Sequence, residues 1–157
     1  MNAQQSKGPG IGTRHEEQSF RVLVIDDNEV DREIIIRHVR QAWPFEDIAW
    51  ESAMDGHEAI RKLARASFTV VVLEWQLPKL RGMDVLRRLR DDGVDIPVIV
   101  VSGLHREEIA DDLESLGAAF LNKESLNPTA LRNAMAISAR WLTNGQKRDR
   151  KKDEREL

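Results

Sequence analysis

Five side chains in this sequence stand where apolar runs end, and their types suit one kind of chemistry. Asp26 and Asp27 close the run FRVLVIDD, and Glu74 closes FTVVVLE. Ser102 closes IPVIVVSG, and Lys123 follows AAFLN. Three carboxylates suit a hard cation that keeps several of its waters, and Mg²⁺ fits best. The lysine cannot ligate a cation, but it can neutralise a phosphoryl or carboxylate oxygen. The serine hydroxyl can donate to that same oxygen, and Gly103 beside it leaves room for an incoming group. Each residue also has a plainer reading: the aspartate pair as a helix cap, Ser102 as a turn residue, Lys123 as a solvated side chain. Their shared place at the carboxyl ends of strands favours one metal and phosphoryl site, where open α/β sheets hold their ligands.

The elements that must bring these residues together are read from a period that switches repeatedly. Phe20 to Ile25, DIAWES, Phe68 to Leu73, IPVIVVSG and AAFLNK read as five strands, most of them β-branched and without polar alternation. Between and after them lie NEVDREIIIRHVRQAW, DGHEAIRKLARA, MDVLRRLRDDG, REEIADDLESLG and NPTALRNAMAISARWL, which read as helices. Asn28 is a cap for the first, which should stop before Pro44. In the second, Ala59, Ile60, Leu63 and Ala64 share a face. Gly93 closes the third, and Asn127 caps the last, with Pro128 at its first position. Strands alternating with helices imply an α/β fold: a five-stranded parallel sheet with helices on both faces. Right-handed crossovers make the flavodoxin-like strand order 2-1-3-4-5 the natural expectation. Strands one and three are then neighbours, and the three acids converge.

Composition narrows the setting. The chain has 157 residues and a formal net charge of −3, so no global field draws it to nucleic acid. It has no cysteine, which excludes thiol chemistry and cysteine-ligated metal. No apolar run reaches the roughly 18 residues that span a bilayer, and the first residues lack a secretory apolar segment. A cytoplasmic protein without membrane contact is the expectation. Residues 1–19 read as a flexible arm, residues 20–142 as the domain, and residues 143–157 as a charged tail with six basic and four acidic side chains. The interspersed acids argue against nucleic-acid binding by that tail.

Over roughly Phe20 to Leu142 the chain resembles the receiver domain of two-component response regulators. VLVIDDNE is similar to that family's acidic-pair segment, and VVVLEWQLPKLRGMDVL to its phosphoacceptor strand, proline loop and following helix, including Pro78 and Gly82. PVIVVSG resembles the strand that carries the switch hydroxyl, and GAAFLNK the strand that carries the aromatic switch residue and the lysine. The resemblance implies Asp27 as a direct Mg²⁺ ligand, Asp26 as a ligand largely through water, and the Gln76 main-chain carbonyl as a further one. It implies Ser102 and Phe120 as switch residues and Lys123 as the charge on the phosphoryl group. The partners it implies are a sensor histidine kinase, a phosphotransfer protein or a downstream target. They would dock on the face of helix four, strand five and helix five, with Trp141 a partner or homodimer contact there. Three departures stand out: Glu74 at the phosphoacceptor position, Glu124 where proline follows the lysine, and a Gly117–Lys123 segment one residue short.

Glu74 changes the chemistry that resemblance implies. Glutamate is one methylene longer than aspartate, moving its oxygen by roughly 1 to 1.5 Å. Phosphoryl transfer rests on positioning, and a displacement of that size can cost about a hundredfold in rate. Phosphorylation at residue 74 is therefore expected to be lost. The longer side chain carries its charge outward, where it either partly mimics a phosphoryl group or simply pairs with Lys123 in a receiver that no longer switches. The expected function is a stand-alone, non-enzymatic signalling module acting through docking. A Mg²⁺-dependent phosphatase or phosphotransferase is the alternative. It needs an aspartate nucleophile with a second acid two residues on, whereas Trp75 and Gln76 follow Glu74.

Overall fold

A computed structural model of the chain describes residues 19–109 and 111–156. The N-terminal arm expected over residues 1–19 lies, Ser19 apart, outside the described residues. Five strands form: β1 (Phe20–Ile25), β2 (Ile48–Ala53), β3 (Val70–Glu74), β4 (Val98–Ser102) and β5 (Ala118–Asn122). They make one parallel sheet in the order β2-β1-β3-β4-β5.

Side chains of each inner strand are buried on both faces, which explains why the sequence shows apolar runs there rather than alternation. In β1, Val22 and Val24 enter one core while Leu23 and Ile25 enter the other. The first core is closed by α1 (Glu29–Ala42) through Ile35, Ile36 and Val39, and by the last helix, α4 (Pro128–Glu156), through Leu131 and Ala134. The second is closed by α2 (Gly56–Arg65) and α3 (Gly82–Asp91), chiefly through Ala59, Val85, Leu86 and Leu89. Of the four residues expected on the inner face of α2, Ala59 is buried and Ala64 is exposed.

Helix termini follow the expected signals. The Asn28 side chain accepts the Asp31 N–H at 2.9 Å, and Asn127 accepts the Ala130 N–H at 2.9 Å. Gly93 closes α3 with φ of +74°, a conformation that disfavours any residue with a Cβ. α4 does not stop at Leu142 but continues through the charged segment to Glu156.

The helix expected over REEIADDLESLG does not form. The described part of that stretch is a 3₁₀ turn, Arg106–Glu108, followed by turns and bends. Five acids lie between residues 107 and 114, so a helix would stack Glu107 over Asp111 and Glu108 over Asp112, like charges one turn apart. The one base, Arg106, instead donates to the Ile109 and Asp111 carbonyls and stabilises a turn. Ile109 and Leu113 still reach the core, at 5% and 2% exposure, so the segment covers the sheet without being a helix.

Candidate functional site

The carboxyl ends of β1 and β3 and the first turn of α1 meet at Lys123, which follows β5. This residue does not extend β5 but opens a 3₁₀ turn, Lys123–Ser125, in which the Asn122 side chain accepts the Glu124 N–H at 2.9 Å. Its ammonium lies 2.7 Å from Asp31 Oδ2, 3.0 Å from Glu74 Oε1 and 3.3 Å from Asp26 Oδ2. The contact to Asp26 is an ion-pair distance without hydrogen-bond geometry, so Asp26 Oδ2 is buried with no donor.

Local structure fixes each acid. Asp26 follows β1, donates its N–H to the Ala53 carbonyl at 3.0 Å, and accepts the Asn28 N–H on Oδ1 at 2.9 Å. The Arg32 guanidinium donates to the Asp26 carbonyl at 2.7 Å, tying the first turns of α1 to the strand end. Glu74 is the last residue of β3 and 7% exposed. Its other oxygen, Oε2, accepts the Trp75 N–H at 2.7 Å, so both carboxylate oxygens are engaged. Gly82 makes this turn possible: a Cβ there would lie 2.8 Å from the Glu74 carbonyl oxygen and the Trp75 Cα. Only a glycine lets the start of α3 approach the end of β3 so closely.

Burial pushes the carboxyl groups of Asp26 and Glu74 above their ordinary range, although Lys123 and neighbouring N–H groups pull the other way. Burial by itself would depress the Lys123 ammonium. Its bonds to Asp31 and Glu74 and the charge of Asp26 outweigh that and hold it above its ordinary range. The lysine is therefore charged, and it is shared among three carboxylates.

The remaining residues singled out in the sequence stand apart from this cluster. Asp27 is exposed at the rim, and so is Gln76. Ser102 is fully buried at the end of β4, where its hydroxyl accepts the Leu104 N–H at 3.3 Å. Phe120 lies in β5 opposite Val100 and packs partly against the core. Trp141 is half-buried and lines a groove with Phe120, Leu121, Ala134, Ile137 and Arg106. Asp31 was legible only as an acid in the first turn of α1. The signal that could have found it is its position five residues after Asp26, on the turn that follows the acidic pair.

The sequence profile of the response regulator receiver domain matches residues 22–136, so the chain belongs to the response regulator receiver domain family of two-component signalling. It is 34% identical over 116 residues to a protein-glutamate methylesterase/protein-glutamine glutaminase of Treponema denticola, a match covering 72% of this chain and 31% of that protein. It is 34% identical over 98 residues to the response regulator MprA of Mycolicibacterium vanbaalenii, covering 62% of this chain and 40% of that protein. The chain thus spans about a third to two fifths of the length of these relatives. Among solved structures, the Francisella response regulator 1452 receiver domain shares the fold with a TM-score of 0.61 and 27% identity, over 78% of this chain and 98% of that one. A response regulator receiver protein from Pseudomonas putida does so at 0.62 and 27%, over 73% and 93%. Among the described residues no helix is long and apolar enough to cross a membrane.

Proposed function

We propose that this receiver signals by docking to a partner protein without being phosphorylated at residue 74, because a built-in carboxylate already engages the switch lysine. The observation that carries this reading is the pairing of Glu74 Oε1 with Lys123 Nζ at 3.0 Å while Oε2 holds the Trp75 N–H. A carboxylate with both oxygens engaged in a buried site is poorly placed to attack phosphorus in line. Mimicry of the phosphorylated state is partial: Lys123 is bound to the acid, whereas the Ser102 hydroxyl remains on the Leu104 N–H. The phosphatase or phosphotransferase reading is weaker, since the residues after Glu74 are a half-buried tryptophan and an exposed glutamine.

The residues fit a hard divalent cation in charge. Three carboxylates around one ammonium leave two negative charges in excess before Asp27 is counted, and Asp26 Oδ2 lacks a donor. Among the described residues no three acidic side chains stand as a ready cage. Asp26, Asp27 and the Gln76 carbonyl would hold the ion, with Glu74 a ligand only on leaving Lys123. When bound, Mg²⁺ supplies charge neutralisation at phosphoryl oxygens. The partner is a sensor kinase, a phosphotransfer protein or a downstream target. The docking face is the groove over β5 and α4, with Arg106 at its edge. A homodimer through the same face is the alternative occupant.

The test is labelling by acetyl phosphate with Mg²⁺, followed by intact mass. Wild type is expected to stay unlabelled and Glu74→Asp to gain one phosphoryl group. Wild type labelled as fast as Glu74→Asp would overturn the proposal.

A further inference from the structure

We propose that Asp31 is a positioning residue for Lys123, forming an ionic latch between the first turn of α1 and the tip of β5. Asp31 makes the shortest of the three contacts to the ammonium, 2.7 Å against 3.0 Å to Glu74 and 3.3 Å to Asp26. It is also a hydrogen bond between residues 92 apart in sequence, in a position where both side chains are about a third exposed or less. Asp31 is the only one of the three acids that belongs to a helix rather than to a strand end.

The geometry gives the latch a direction. Lys123 has three ammonium protons, and the bond to Asp31 commits one of them to α1. A charge-assisted bond is directional, so the lysine cannot turn fully onto a group at residue 74 while Asp31 holds it. Asp31 in turn is fixed from behind, because its N–H is held by the Asn28 side chain, and Asn28 donates its own N–H to Asp26. The latch therefore divides one positive charge between helix α1 and the acid at the phosphoacceptor position. Anything that moves the first turn of α1 changes how much of that charge Glu74 receives. This deepens the function proposed above, and only the labelling arm of its test rests on that reading.

Amide hydrogen exchange on wild type, Asp31→Asn and Asp31→Glu decides whether the latch exists. An acid that merely favours the positive end of α1 would, when neutralised, raise exchange in α1 alone. The latch predicts that Asp31→Asn raises exchange together in residues 29–34 and 121–126, by roughly threefold or more, the scale of one partly exposed charge-assisted bond. Asp31→Glu should restore much of the protection in both segments. A rise confined to α1, or no rise, overturns the proposal.

The labelling arm compares Glu74→Asp with Glu74→Asp/Asp31→Asn at saturating Mg²⁺. Freeing Lys123 should speed acetyl phosphate labelling by roughly threefold or more. An unchanged or slower rate, with Glu74→Asp labelled, counts against the latch. If Glu74→Asp takes no label at all, the reading of residue 74 has failed, and the exchange result still decides the latch.

Discussion

Glu74 shows how much chemistry one methylene moves. Its carboxyl is held above the ordinary range first by burial, with Lys123 and the Trp75 N–H opposing. A raised folded-state pKa means that the protonated acid is favoured by folding. Its contribution to stability is therefore fully present below the ordinary carboxylate value and is lost as pH rises through the raised one. At neutral pH the ionised side chain is a net burden on the fold, so Glu74→Gln should melt higher than wild type at pH 7.5. The advantage should shrink as pH is lowered toward the ordinary carboxylate range. Thermal melts of both proteins between pH 7.5 and 4.5 measure this, and a variant that melts lower at pH 7.5 would show that the pairing with Lys123 outweighs desolvation. The sequence made the position of Glu74 legible, because a strand end is marked by the end of an apolar run. It did not make Asp31 legible, because an acid in a first helical turn has a sufficient local explanation and the partner lies 92 residues away.

At the scale of elements, the five strands and four of the five expected helices were readable from period and caps. The fifth shows where that reading stops. Ile109, Leu113 and Leu116 fall at helical spacing, and Ile109 and Leu113 are buried as a helix would bury them. What period does not register is repulsion between acids one turn apart, nor that Arg106 has backbone carbonyls to bind in a turn. Ser138 is a second case. In the sequence it sits within the apolar face of the last helix, yet its hydroxyl donates to the Gly117 carbonyl at 2.6 Å and accepts the Val98 N–H at 2.9 Å. It thereby joins α4 to the starts of β4 and β5, where both backbone groups are out of reach of water. Ser138→Ala leaves a buried donor and a buried acceptor unpaired, a loss of about 2 kcal/mol. For a chain of this length that is a fall in Tm of about 4 to 8 °C. Calorimetry checks it, and a change under 1 °C would mean that water replaces the hydroxyl.

For the whole molecule, stability resides in two cores on either side of the sheet, and the last part of α4 belongs to neither. From residue 147 to residue 156 every side chain is exposed, and six are basic and four acidic. A polar stretch of this kind is a poor helix by itself, since nucleation is costly. Here nucleation is already met by the packed turns around Leu131, Ala134 and Ser138, so each further residue needs only propagation. Opposite charges at (i, i+4), Arg150 with Glu154 and Lys152 with Glu156, are outnumbered at that spacing by the like pairs Lys147 with Lys151, Arg148 with Lys152, Asp149 with Asp153 and Lys151 with Arg155, so surface pairing adds no net stability. The extension should therefore be helical yet contribute almost nothing to the stability of the domain. Removing residues 147–157 is expected to lower the helical circular dichroism signal while leaving Tm within about 1 °C, since no core contact is lost. A fall of several degrees would show instead that the extension packs against something. If that fall grew with protein concentration in the intact chain's melts, the something would be a second copy.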